Sequence, residues 1–76
     1  MADKHILQYF VFNENGTDIL EANALAFDTD KELMSAKSTM VRNYRRRPRN
    51  EKWQLMLVNN TTGKVLYNSK EDKKNA

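Results

Sequence analysis

Residues 29–48, Thr29-Asp30-Lys31-Glu32-Leu33-Met34-Ser35-Ala36-Lys37-Ser38-Thr39-Met40-Val41-Arg42-Asn43-Tyr44-Arg45-Arg46-Arg47-Pro48, carry a helix start, a helix face and a helix stop in one run. Thr29 to Glu32 matches the T-x-x-E capping box, in which the two residues satisfy each other's free backbone donors. Asp30 and Glu32 suit the positive end of a helix dipole, and Arg45, Arg46 and Arg47 suit the negative end. Leu33, Ala36, Met40 and Tyr44 recur at helical spacing, with Val41 beside them. Pro48 disfavours helical geometry at Arg47 and ends the run. The pattern predicts a helix over 30–46.

On the N-terminal side, residues 5–12 (HILQYFVF) are rich in β-branched and aromatic residues and read as a strand. Ile6, Phe10 and Phe12 share one face, and Leu7, Tyr9 and Val11 share the other. Asn13-Glu14-Asn15-Gly16 is turn chemistry. Residues 17–27 carry good helix formers, among them Leu20, Ala22, Ala24 and Ala26. The preceding hairpin turn favours a returning strand, with Ile19, Leu25 and Phe27 on one face.

On the C-terminal side, residues 52–59 and 64–69 read as two more strands joined by Asn60-Thr61-Thr62-Gly63. The expected fold is α+β: an antiparallel sheet in the order strand, strand, helix, strand, strand, with one helix on one face. Residues 1–69 form the domain, and 70–76 read as a flexible charged tail. One helix leaves the other sheet face uncovered. With Leu7, Tyr9 and Val11 taken as the uncovered residues, a homodimer is expected.

The 76 residues suffice for one small domain with little interior. The absence of cysteine excludes a disulfide framework and a cysteine-ligated zinc site, and suits a reducing, cytoplasmic setting. Met1 to Phe12 does not read as a secretory signal, and no apolar run is long enough for a membrane span. Asn15-Gly16-Thr17, Asn59-Asn60-Thr61 and Asn60-Thr61-Thr62 are therefore read as turns rather than glycosylation sites.

No catalytic constellation emerges, so no enzymatic activity, cofactor or metal is expected. His5 is the only histidine and has no second ligand at metal spacing. Ser35, Ser38 and Ser69 would share it as their only base, with no triad spacing. Glu14 with Asp18, and Asp28 with Glu32, flank a turn and a helix cap and make poor acid–base pairs. Thr62-Gly63-Lys64 is better explained as a hairpin than as a phosphate loop.

The charge distribution carries more. Residues 1–32 hold Lys4 and Lys31 against seven carboxylates, whereas residues 41–52 hold Arg42, Arg45, Arg46, Arg47, Arg49 and Lys52 against Glu51 alone. Forked arginine donors match phosphate oxygens, and Tyr44 and Trp53 nearby are candidate stacking platforms. This footprint suits nucleic acid, or else an acidic protein surface. It would also arise if the arginines cap the helix and pair with Asp18, Glu21 or Asp28. The function expected is a small binding protein, with nucleic acid as the ligand. The alternative is a protein-binding modulator or inhibitor of the phage or mobile-element type, docking on a larger partner.

Overall fold

The computed structural model describes residues 4–71. The elements are β1 (His5–Phe12), β2 (Ile19–Phe27), α1 (Asp30–Arg45), β3 (Gln54–Asn59) and β4 (Lys64–Asn68), followed by a 3-10 turn at Ser69–Glu71. The strands form one antiparallel sheet in the order β2-β1-β3-β4. This is the expected α+β architecture, and residues 19–27 are strand. Of the segment expected as a tail, Lys70 and Glu71 complete the 3-10 turn, and residues 72–76 lie outside the described residues.

The helix begins where its cap predicts. Thr29 is extended, and its hydroxyl oxygen accepts from Glu32 N–H at 3.1 Å. The reciprocal half of the box differs from expectation. The Glu32 carboxylate accepts the Thr29 hydroxyl at 3.1 Å rather than the Thr29 backbone N–H. Leu33, Val41 and Tyr44 are the buried helix residues, with Ala36 and Met40 packed at the margin. They close a core with Leu7, Leu55 and Leu57 from the two central strands. Leu7, Leu33 and Leu57 have no exposed surface at all.

The register decides which side of the sheet this is. Leu7 pairs with Leu25 and Asn59, Tyr9 with Asn23 and Leu57, and Val11 with Glu21 and Leu55, all on the helix side. Leu7, Tyr9 and Val11 are thus the covered residues, contrary to expectation. The bare face is the other one: Ile6, Gln8, Phe10 and Phe12 flanked by Ala26, Ala24, Ala22 and Ile19 on β2 and by Val58, Met56 and Gln54 on β3. Both faces of β1 are apolar, so hydrophobicity could not tell them apart. Ile19 also departs from the expected face. A bulge at Leu20 shifts the β1–β2 register between Val11 and Phe12, so Ile19 lies opposite Phe12 while Leu25 and Phe27 stay on the helix side.

Both hairpin turns are built by an asparagine and a glycine. Asn13 Oδ1 accepts from Thr17 N–H at 2.8 Å and Asp18 N–H at 3.2 Å, and Gly16 takes φ +72°. Asn59, only 6% exposed, accepts through Oδ1 from Thr61 N–H at 3.0 Å and Thr62 N–H at 3.3 Å, and Gly63 takes φ +76°. Positive φ favours glycine at both places. The second turn is also tied to the start of β1: Asn60 N–H donates to the Ile6 carbonyl at 2.8 Å, and Thr61 Oγ1 accepts from Ile6 N–H at 3.0 Å. Beyond β4, Ser69 Oγ accepts from Leu55 N–H at 3.0 Å and donates to Gln54 Oε1 at 2.7 Å, fastening the 3-10 turn to β3.

Two outcomes follow. Leu33→Ala should lower unfolding stability by about 2–5 kcal/mol, read by urea denaturation, because it empties a fully enclosed site. Met34→Ala, on the solvent side of the same turn, should change it by less than about 0.5 kcal/mol. The Lys4 ammonium donates to the Asp28 carboxylate, and this hydrogen-bonded ion pair holds the Asp28 carboxyl below its ordinary value. A depressed folded pKa means the contribution is present above the unfolded Asp28 value and is lost as pH falls through the depressed one. Side-chain NMR titration should show Asp28 titrating low, and Lys4→Ala should return it to the ordinary range.

Candidate functional site

The last turn of α1 and the loop to β3 gather the basic residues named from the sequence, but they do not behave as one group. Arg42, Arg46, Arg49 and Lys52 are exposed. Arg47 turns inward. Its Nη1 donates to the Tyr44 carbonyl at 2.7 Å, its Nε donates to the Glu51 carbonyl at 3.1 Å, and its guanidinium lies 3.7 Å from the centre of the Tyr44 ring. It occupies a helix-terminal carbonyl and holds the returning loop, a geometry that needs the planar fork of arginine. Arg45 lies between these cases, exposed but with its guanidinium 5.9 Å from the Tyr67 ring centre.

The two aromatic candidates are placed differently from a stacking pair. Tyr44 is 5% exposed and donates its hydroxyl to the Trp53 carbonyl at 3.0 Å. Trp53 and Tyr67 meet it in edge-on arrangements at centroid distances of 4.8 and 6.1 Å, and Arg47 covers a ring face. Its π-surface is used inside the protein. Trp53 is half-buried, and its Nε1–H points to the Glu51 carboxylate at 3.4 Å.

The cluster opens onto two shallow depressions between the helix end and β4. One, of about 720 Å³, is lined by Arg45, Arg47, Arg49, Lys52 and Tyr67 among others. The second, of about 430 Å³, is lined by Lys37, Arg42, Arg45, Arg46 and Tyr67 among others. Arg45 and Tyr67 line both. Sequence reading missed Lys37 and Tyr67. The signal for Lys37 was its spacing, eight residues before Arg45 and so on the same side of the helix two turns earlier. For Tyr67 there was none, because its position depends on how β4 pairs with β3.

Asp18, Glu21 and Asp28, which would neutralise the arginines if paired with them, are engaged elsewhere. Asp28 pairs with Lys4, Glu21 Oε2 accepts from the Tyr9 hydroxyl at 2.7 Å, and Asp18 Oδ2 accepts from Asn13 Nδ2 at 3.3 Å. The bond to Glu21 holds the Tyr9 phenol above its ordinary pKa. Arg42, Arg46, Arg49 and Lys52 are exposed and form no ion pair among the described residues. Glu51 is the one carboxylate beside them in the larger depression.

Among the described residues, no three His, Asp or Glu side chains gather as a metal site. His5 sits at the start of β1 opposite Phe27, at the far end of the sheet from the basic loop. No helix of the described residues is long and apolar enough to cross a membrane. The chain matches no family model, no curated protein and no solved structure.

The division of labour among the arginines is testable. Arg47→Lys should lower stability by about 1–3 kcal/mol in thermal or chemical unfolding, since lysine cannot reproduce two backbone hydrogen bonds and a ring contact together. Arg42→Ala, Arg46→Ala and Arg49→Ala should each stay within about 0.5 kcal/mol of the parent.

Proposed function

We propose that this chain is a small non-catalytic binding protein that holds nucleic acid through the phosphate backbone, using the exposed basic residues of the α1 end and the following loop. The observation carrying this reading is that, among the described residues, Arg42, Arg46, Arg49 and Lys52 form no ion pair, while Asp18, Glu21 and Asp28 are engaged elsewhere. Four exposed cations against Glu51 alone raise the local positive potential, and forked guanidinium donors suit phosphate oxygens. Arg47 and Tyr44 act as the support that fixes the loop. The reading places the protein in the reducing interior of a cell, where nucleic acid is available.

Nothing in the cluster matches a base-reading motif, so recognition is of backbone and not of sequence. Fluorescence anisotropy with short single- and double-stranded oligonucleotides should show weakly sequence-dependent binding that falls steeply with salt. About four phosphate contacts give a log–log salt slope of roughly −3 to −4 on duplex DNA. The Arg42→Ala, Arg46→Ala, Arg49→Ala triple variant should weaken binding to all sequences alike and flatten the slope to about −1. No binding at low salt would remove nucleic acid as the ligand and leave an acidic protein surface as the partner of the same residues.

A further inference from the structure

We infer that the nucleic acid held at this site is single-stranded, with one base stacked between the Tyr67 ring and the Arg45 guanidinium; the inference rests on the phosphate-binding reading above. Two arginines near the helix end approach aromatic rings, and they do so at different distances. The Arg47 guanidinium lies 3.7 Å from the Tyr44 ring centre, and its Nη1 and Nε donate to the Tyr44 and Glu51 carbonyls. That stack is closed. The Arg45 guanidinium stands 5.9 Å from the Tyr67 ring centre. Atoms in contact lie about 3.5–4.0 Å apart, so the second pair is too wide for a closed stack. A planar base between them, at roughly 3.5 Å from each, needs about 7 Å. Widening the jaw by about 1 Å takes a small rotation of Arg45, whose side chain is exposed.

The sheet places Tyr67 for this role. Tyr67 pairs with the core residue Leu57, which puts it on the helix side, and it belongs to β4, an edge strand. Tyr44 meets its ring edge-on at 6.1 Å and braces it, yet the side chain stays only half-buried. Its ring lines both depressions, as Arg45 does. Lys37, Arg42 and Arg46 line the one along the helix, and Arg49 and Lys52 line the one along the loop. Cations therefore stand to either side of the ring, where the phosphates before and after a stacked base would lie. Glu51 opposes them in the larger depression and is outnumbered there by Arg45, Arg47, Arg49 and Lys52. A duplex gains nothing from such a clamp unless a base is first unstacked at a cost, because its base faces are covered by their neighbours. A single strand offers every base face, and stacking on an aromatic ring or a guanidinium plane does not depend on sequence.

Fluorescence anisotropy with labelled strands of about ten nucleotides, within the site sizes of single-strand grooves, tests the clamp. The parent protein should bind oligothymidine about tenfold or more tighter than a duplex of the same length. A strand of abasic units keeps the phosphates and removes the bases; it should bind about tenfold more weakly than oligothymidine, with the same salt slope. Tyr67→Leu should bind both strands alike, whereas Tyr67→Phe should keep the difference. Oligouridine is the RNA arm: the clamp addresses base faces, so it should bind within about threefold of oligothymidine, and a wider gap names the source and keeps the clamp. Equal binding of the abasic strand and oligothymidine by the parent overturns the clamp and leaves phosphate binding standing. A duplex bound more tightly than the single strand overturns it as well. Loss of all binding at low salt overturns the phosphate reading and the clamp together. If Tyr67→Leu does not fold, the abasic comparison on the parent protein decides alone.

Discussion

A single 16-residue helix can cover one side of a four-stranded sheet and no more. At about 1.5 Å per residue it is roughly 24 Å long, and its apolar stripe is one side chain deep. Everything else follows from that limit. The enclosed core comprises Leu7, Leu33, Val41, Tyr44, Leu55 and Leu57, a small interior for a chain of this length. The remaining stability comes from margins: Met40, Trp53 and Tyr67 packed at the core edge, two hairpin turns closed by asparagine side chains, and a cap at each end of the helix.

The arginine run shows how one composition serves two purposes. Arg47 lies against protein atoms on several sides and closes the carbonyl end of α1. Arg42, Arg46, Arg49 and Lys52 lie against water. Nothing in the letters separates them, because Arg45-Arg46-Arg47 is a run of identical side chains. The chain path does so: the helix ends at Arg45 with Arg46 as its cap, and Arg47 lies just beyond, where its side chain folds back onto the Tyr44 and Glu51 carbonyls.

The elements of the fold were legible in the sequence because each has a local cause. Thr29 and Glu32 mark the helix start, Pro48 forbids its continuation, and Gly16 and Gly63 supply the positive φ their turns adopt. The covered side of the sheet was not legible. It depends on long-range pairing, and β1 offers Leu7-Tyr9-Val11 and Ile6-Phe10-Phe12 as near-equal choices. The Leu20 bulge and the engagement of Glu21 by Tyr9 are likewise products of register. The basic site was legible as composition. Its division into buried and exposed arginines, the place of Tyr44 inside the core, and the contributions of Lys37 and Tyr67 were not.

The Thr61 hydroxyl that bridges Ile6 and Lys4 joins positions 55 apart in the chain. It stands at the seam between two hairpins that each close locally, β1 with β2 and β3 with β4. The hairpins close short loops, whereas the central β1–β3 seam closes a far longer one at a larger cost in loop entropy. The most interior strand pair of the finished protein is thus the one with the longest chain separation. The helix lies within the long loop that this pair closes.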